Sequence, residues 1–252
     1  MLIGKKHIPP IAFADIHCHV LWGLDDGAVD AEQMQKMLCA AYQSGTRLMC
    51  ATPHYHPSRF SVDPPLYDAR CAEAKAFAEE HCPGMRLLFG QELFADSALP
   101  GLLRQGACHT LGASRAVLVE FFPAVLYFTV EHILQELQSY GYQPVLAHAE
   151  RYACLSAEPK RLQDLHNAGV LIQCNANALC GKCGPLPKKI VRYCLDRELV
   201  DFVASDTHDP VIRTPDLRDA YTAVVRRCGK SYAEQIFCSN ANQLFCEEDS
   251  HG

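Results

Sequence analysis

The sequence predicts an α/β fold whose parallel sheet closes into a barrel, and three observations carry that expectation. Short apolar or β-branched runs alternate with amphipathic helical patterns along the chain. The strand-like runs are almost continuously apolar, as parallel strands covered on both faces must be. With 252 residues, 49% of them hydrophobic, the chain matches the size of one (β/α) barrel and can fill its core.

The elements follow in order. Strand 11–16 (IAFADI) opens the chain, and helix 31–44 ends against Gly45, a residue suited to the left-handed position that closes a helix. Strand 48–52 (LMCAT) leads into a Pro-rich run, 57–65, which reads as a loop and not as a domain boundary. Helix 67–81, strand 86–90 (RLLFG) and strand 116–119 (AVLV) come next. Helix 129–140 ends at Gly141 before strand 144–147 (PVLA), and helix 160–168 ends at Gly169 before strand 170–174 (VLIQC). Helix 188–197, strand 200–205 (VDFVAS) and helices 217–228 and 232–237 complete the pattern. No linker, repeat or low-complexity segment interrupts it, so residues 1–252 read as one domain, with 1–12 as an N-terminal extension and 246–252 as a frayed tail.

Composition excludes several classes. A formal charge of −6 and a sequence pI near 6.0 give no basic footprint for nucleic acid or an anionic membrane. The most apolar stretch, 116–130, is broken by Glu120 and Pro123 and falls short of the roughly 20 residues a bilayer span needs. The N-terminal MLIGKKHIPP lacks the apolar core of a secretory signal, so a cytoplasmic protein with reduced thiols is expected despite its 14 cysteines. Its one Cys-x-x-Cys, Cys180–Cys183, has no second pair at zinc-finger spacing.

The chemistry lies after the strands. His17 and His19, His54, Glu92, Glu120, His148, Asn175, and Asp206 with His208 follow the seven strands, and six of the seven therefore end in metal-ligand types. In a (β/α) barrel all the carboxyl ends open on one mouth, where residues distant in sequence converge. On a strand, residues i and i+2 share a face, so His17 and His19 can reach one ion. Asp206-Thr207-His208 repeats the spacing after an apolar run, where uncompensated charge would be costly. Each motif alone has an ordinary structural explanation; together they imply a polynuclear site of imidazole and carboxylate ligands, suited to Mn²⁺ first and to Fe²⁺ or Zn²⁺ as well. Asp25 and Asp26 lie in Gly-Leu-Asp-Asp-Gly, which reads equally as a solvated turn.

The runs DIHCHVLWGLDDGA (15–28), ATPHYHP (51–57), GQELF (90–94), LVEFF (118–122), VLAHAERY (145–152), NANALCGKCG (175–184) and FVASDTHD (202–209) resemble those of the bacterial PHP-superfamily tyrosine phosphatases of the CpsB/CapC type. The resemblance spans about Phe13 to Ala220 and departs from the family at Ala149, where proline is usual. It implies a distorted TIM-like (β/α)7 barrel, a PHP-type metallophosphatase domain, with up to three manganese ions. One ion would be held by His17, His19, Glu92 and Asp206, a second by Glu92, Glu120 and His148, and a third by Asp26, His54 and His208, with Asp25 as the competitor for Asp26. The resemblance also implies phosphate-binding roles for Arg151 and Arg213; an ion pair of Arg151 with Glu150, and a solvated loop position for Arg213, are the plainer readings.

The implied function is removal of phosphate from the tyrosine-rich tail of a membrane-associated tyrosine autokinase of capsule or exopolysaccharide synthesis, by attack of metal-bound hydroxide on phosphorus. The enzyme itself would not insert in the membrane; a homo-oligomer is compatible with the sequence. A cysteine-dependent phosphatase is disfavoured, because none of the 14 cysteines is followed six positions later by arginine. Cys18 should face the core and not the mouth. Two alternatives stand beside this reading: a PHP phosphatase for a small ester such as histidinol phosphate, and a metal-binding regulatory partner of a kinase without catalysis. The loop 55–66, with His56, Arg59 and Phe60, would either flank the substrate or form plain rim.

Overall fold

The structure is a computed structural model that describes residues 11–61 and 63–246. Apart from residues 11, 12 and 246, the expected N-terminal extension and C-terminal tail lie outside the described residues.

Among the described residues nine parallel strands form two curled sheets. The first contains β1 (Phe13–Cys18), β2 (Thr46–Ala51) and β4 (Arg86–Phe89) in the order β1-β2-β4. The second runs from β3 (His54–Tyr55) through β5 (Glu92–Phe94), β6 (Ala116–Glu120), β7 (Gln143–Leu146) and β8 (Leu171–Asn175) to β9 (Phe202–Ala204). Two of the expected strands, 48–52 and 86–90, correspond to β2 and β4, and each is followed by a further short strand, β3 or β5, that the sequence did not predict. Pro53, which has no N–H to donate, separates β2 from β3, and Gly90-Gln91 separates β4 from β5. Backbone bonds Gly90 N–H to Ala51 O (2.9 Å) and Glu92 N–H to Pro53 O (3.1 Å) carry the pairing across both breaks. The β9 end meets β1 through Asp206 N–H to His17 O and His19 N–H to Thr207 O, both 2.9 Å. The result is the distorted barrel of seven strand positions that the sequence predicts.

Helices cover the outside: α1 (Ala31–Ser44), α2 (Pro64–His81), α3 (Leu99–Arg104), α4 (Tyr127–Ser139), α5 (Ala153–Ala157), α6 (Lys160–Asn167), α7 (Ala176–Leu179), α8 (Pro185–Leu195), α9 (Arg218–Cys228), α10 (Lys230–Glu234) and α11 (Asn240–Cys246). A π-helical turn, Gln235–Ser239, joins the last two where the sequence suggested one helix over 232–237. The start of α1 is set by Asp30, whose carboxylate accepts the Gln33 N–H at 2.8 Å. Its end is set by Gly45 at φ 109°, a left-handed conformation costly for any residue with a Cβ. Among the described residues no helix is long and apolar enough to cross a membrane.

Packing explains the strand patterning. Ala14, Ile16, Leu48, Cys50, Leu118, Val145, Ala147, Phe202 and Ala204 fill the barrel interior, and Phe245 of α11 packs against the same cluster. The alternate residues Val117, Val119, Leu146, Ile172 and Val203 pack outward with the helices. One strand breaks this alternation at a decisive place. In β1 the inward residues are Ala14 and Ile16, yet Cys18 packs with α1 and α2 residues such as Met34 and Ala74. The pairing of Asp15 with Met49 and then Cys18 with Ala51 sets three steps of β1 against two of β2, a β-bulge that switches the strand's faces. His17 and His19 are thereby turned to the mouth, and the Cys18 thiol goes into the core, where it donates to Cys50 O at 3.2 Å.

Candidate metal centre

At the carboxyl end of the barrel the predicted ligands converge. Glu92, buried at 1% exposure, sits at the centre. Its Oε2 lies 3.0 Å from His17 Nε2, 3.1 Å from His54 Nδ1 and 3.3 Å from His19 Nε2, and its Oε1 lies 2.7 Å from His148 Nε2. Glu120 Oε1 approaches His54 Nδ1 at 2.9 Å, and Asp206 Oδ1 lies 3.5–3.6 Å from His17 and His19. Asp26 Oδ1 is 3.5 Å from His54 Nε2 and 3.4 Å from His208 Nε2. Three sets of donor atoms lie close enough to share an ion: His17, His19 and Glu92; His54, Glu92 and Glu120; and His19, Asp26, His54 and His208. These overlap the three expected sets, with His54 and His19 each reaching a second one.

The backbone is bent to make this possible. Among the described residues only His148 (φ 32°), Glu198 and Asp206 (φ 50°) are non-glycine residues with positive φ, and two of these three stand in the cluster. The turn at His148 continues into a 3-10 turn, Ala149–Arg151, that carries Arg151 back over the mouth.

The neighbouring aspartates divide. Asp25 is sequestered: its Oδ2 accepts from His19 Nδ1 at 2.6 Å and from the His54 N–H at 2.9 Å, and its Oδ1 accepts the Gly27 N–H. It fixes the tautomer and angle of His19, leaving Nε2 for the cluster. Asp26 points to the open side at 61% exposure and is the member that meets His54 and His208. Gly27 is needed for this approach, since a Cβ there would stand 2.2 Å from His19 O.

Sequence reasoning did not single out Gln173. Its Oε1 lies 3.1 Å from His17 Nδ1 and accepts the His148 N–H at 2.7 Å, and its Nε2 donates to Asn175 Oδ1 at 2.8 Å. Asn175 in turn donates to Asp206 Oδ2 at 2.7 Å. Period-2 alternation from the inward Leu171 was the available signal, because it puts 173 and 175 on the barrel side.

Arg151 and Arg213 both turn inward. Their Nη2 atoms lie 2.5 and 2.7 Å from the same Asp206 oxygen, Oδ2. Arg151 thus pairs with Asp206, not with Glu150, whose Oε1 accepts the Asn175 N–H at 3.3 Å. Arg213 is no solvated loop charge: Asp209 accepts its N–H at 3.1 Å, and the guanidinium is one-third exposed.

The electrostatics fit cations. Burial opposes charge on Glu92, but His17 and His148 outweigh it and hold the carboxyl well below the usual range. Asp206 is held low against burial by His17 and Arg151, and Asp26 by its hydrogen bond to His208. Burial would lower the imidazoles, yet Asp25 lifts His19 to about 9, and Glu120 and Glu92 lift His54 to about 9. Among the described residues Glu92 Oε2, though ringed by three imidazole nitrogens, accepts no hydrogen bond, and His54 Nδ1 has no hydrogen-bond partner either. Buried carboxylate oxygen and ring nitrogen aimed at common points, without alignment on one another, is the donor arrangement of a divalent-metal centre.

A family model described as capsular polysaccharide synthesis, CpsB/CapC, matches residues 13–246. The chain belongs to the CpsB/CapC family. It is 30% identical over 235 residues to the tyrosine-protein phosphatase CpsB of Streptococcus agalactiae, covering 91% of this chain and 97% of that protein. It superposes with a TM-score of 0.85 and 27% identity on a solved structure from a study of YwqE from Bacillus subtilis and CpsB from Streptococcus pneumoniae, described as metal-dependent tyrosine phosphatases, covering 92% of this chain and 94% of that one. A histidinol phosphate phosphatase from Lactococcus lactis shares the fold at a TM-score of 0.55 and 16% identity, over 86% of this chain and 94% of that one.

Two outcomes are expected of this CpsB/CapC centre. Asp25→Asn should weaken cation binding about 10- to 100-fold by releasing His19, as read by titration calorimetry. Because His19 and His54 are raised to about 9, they hold protons at neutral pH that a cation must displace. Apparent Mn²⁺ affinity should therefore rise from pH 6 to pH 9, with proton release visible as a buffer-dependent heat; a flat profile would contradict the assignment.

Proposed function

We propose that this CpsB/CapC-family protein is a metal-dependent phosphatase of protein phosphotyrosine. The observation that carries the reading is the meeting of Arg151 and Arg213 on one Asp206 oxygen beside a buried cluster of imidazoles and carboxylates. His17, His19, Glu92 and Asp206 would hold one ion, Glu92, Glu120 and His148 a second, and Asp26, His54 and His208 a third. Manganese is the first candidate, and Fe²⁺ and Zn²⁺ suit the same donors. Divalent ions there would supply Lewis-acid charge to the phosphoryl group and lower the pKa of coordinated water.

The chain's own residues do the rest. Two guanidinium groups already aimed at one point can exchange part of their pairing with Asp206 for the equatorial oxygens of a phosphate monoester. Asn175 keeps Asp206 in place while that exchange occurs. Gln173 fixes His17 and the His148 turn, and Asp25 fixes His19, so the cluster is preorganised and not assembled on binding. Phenol, with a pKa near 10, departs from phosphorus without much help from a general acid. The reading extends to a substrate in the phosphorylated tyrosine tail of a membrane-associated autokinase of capsule synthesis, met on the cytoplasmic side.

The protein loaded with Mn²⁺ should hydrolyse p-nitrophenyl phosphate and a phosphotyrosine peptide, lose both activities to chelator and regain them with Mn²⁺. Inertness with each of the three metals would overturn the reading. Arg151→Ala and Arg213→Ala should each lower kcat about 10²- to 10³-fold while metal content, measured by elemental analysis, stays at the wild-type level; loss of metal instead would make that arginine structural.

A further inference from the structure

Beside the metal centre lies a cleft of about 710 Å³, lined by Phe94, Phe122, Val125, Phe128 and Ile133 with Asp96 and Glu136 among its polar members. Two of its aromatic residues stand open to solvent. Phe122 is 56% and Phe128 of α4 74% exposed, and Leu126, just before α4, adds a further exposed apolar side chain at 74%.

The cleft adjoins the cluster through two of its lining residues. Phe94 and Phe122 each stand two residues beyond a proposed ligand, Glu92 and Glu120, which places them within about 7 Å of it along the chain. Their rings meet edge to face at 4.5 Å. On the other side Phe60 stacks on His54 at 5.0 Å, and the Arg59 guanidinium lies 5.8 and 5.9 Å from the Phe60 and Phe122 rings. The Arg59 guanidinium thus bridges the ring stacked on His54 to the Phe94–Phe122 pair, and Phe128, stacked on His132, lines the same cleft as that pair.

Charge decides what the cleft can hold. Among its lining residues there is no lysine or arginine, Asp96 and Glu136 are acidic, and the Arg59 guanidinium reaches only its Phe122 edge, so the cleft itself favours an uncharged group over a second phosphate. Apolar walls and an open end suit a side chain attached to the same polypeptide as the phosphotyrosine. We propose that this cleft is a specificity subsite that takes an apolar or unphosphorylated aromatic side chain of the substrate polypeptide, within a few residues of the phosphotyrosine. The proposal rests on the phosphatase reading and adds to it what the enzyme recognises beyond phosphate. On this proposal the loop carrying Arg59 and Phe60, which touches both His54 and Phe122, flanks the substrate.

The test compares two phosphotyrosine peptides, one with leucine or tyrosine and one with serine at the positions within four residues of the phosphotyrosine, against p-nitrophenyl phosphate. Wild-type enzyme should favour the apolar-flanked peptide by about tenfold in kcat/KM, carried by KM, the scale of burying one such side chain. Phe128→Ser and Phe122→Ser should abolish the preference, so that the ratio of peptide to p-nitrophenyl phosphate kcat/KM falls about tenfold. A ratio unmoved by both substitutions would overturn the subsite. So would a concentration-dependent dimer in sedimentation that Phe128→Ser dissolves, because the cleft would then cover a second copy of the chain. Absence of hydrolysis of all three substrates would instead bring down the phosphatase reading, and the subsite with it.

Discussion

The Glu92 carboxylate is the constraint around which the mouth of this barrel is organised. A carboxylate with almost no access to water is costly unless positive charge surrounds it, and here four imidazoles from three separate strand ends do so. His17, His19 and His54 are themselves drawn toward their charged forms by carboxylates, against the opposing effect of burial. Neither set is at ease alone. A group of buried carboxylates and imidazoles of this kind is neutralised either by protons or by cations, and the proton-bearing state competes directly with the metal-bearing one.

The barrel supplies the convergence, but regular barrel geometry would not supply the aim. Strict alternation in β1 would have put Cys18 in the mouth and both histidines against the helices. The bulge between Asp15 and Cys18 reverses that, and left-handed turns at His148 and Asp206 do the same at two other strand ends. Local irregularity is concentrated where the proposed ligands leave the sheet, while the strands below keep an inward and outward alternation. Gly27 belongs to the same set of devices, since only a residue without Cβ lets the aspartate-bearing loop close on the His19 carbonyl.

Much of this was legible in the sequence. Alternating apolar runs and helical patterns are set by burial on both faces of a parallel sheet, so the seven strand positions and the barrel closure could be read directly. The convergence of the residues following the strands could be read because barrel topology brings carboxyl ends together whatever the loops do. What could not be read depended on side-chain direction at irregular backbone. Asp25 and Asp26 are adjacent and chemically identical, and only the fold shows one buried against His19 and the other open to His54 and His208. Arg151 could have paired with its neighbour Glu150; the 3-10 turn takes it to Asp206 instead. The short strands β3 and β5 were not legible, because Pro53 and Gly90-Gln91 end the apolar runs before them and only the backbone pairing shows that the sheet resumes beyond those breaks.

The two parts of the mouth separate two tasks that one cluster could not perform together. A dense set of carboxylates, imidazoles and two guanidinium groups can stabilise charge on a phosphoryl group, but it presents nearly the same face to any monoester, whether phenyl or alkyl. Discrimination among esters needs contacts that do not involve phosphate, and the wall formed by Phe60, Phe122 and Phe94 offers them next to the ligands and outside them. Because Phe60 stacks directly on His54, the aromatic wall also buttresses a proposed ligand. Ordering of the Arg59–Phe60 loop against a bound polypeptide would therefore restrain His54 at the same time, tying recognition of the flanking chain to the geometry of the centre that acts on its phosphate.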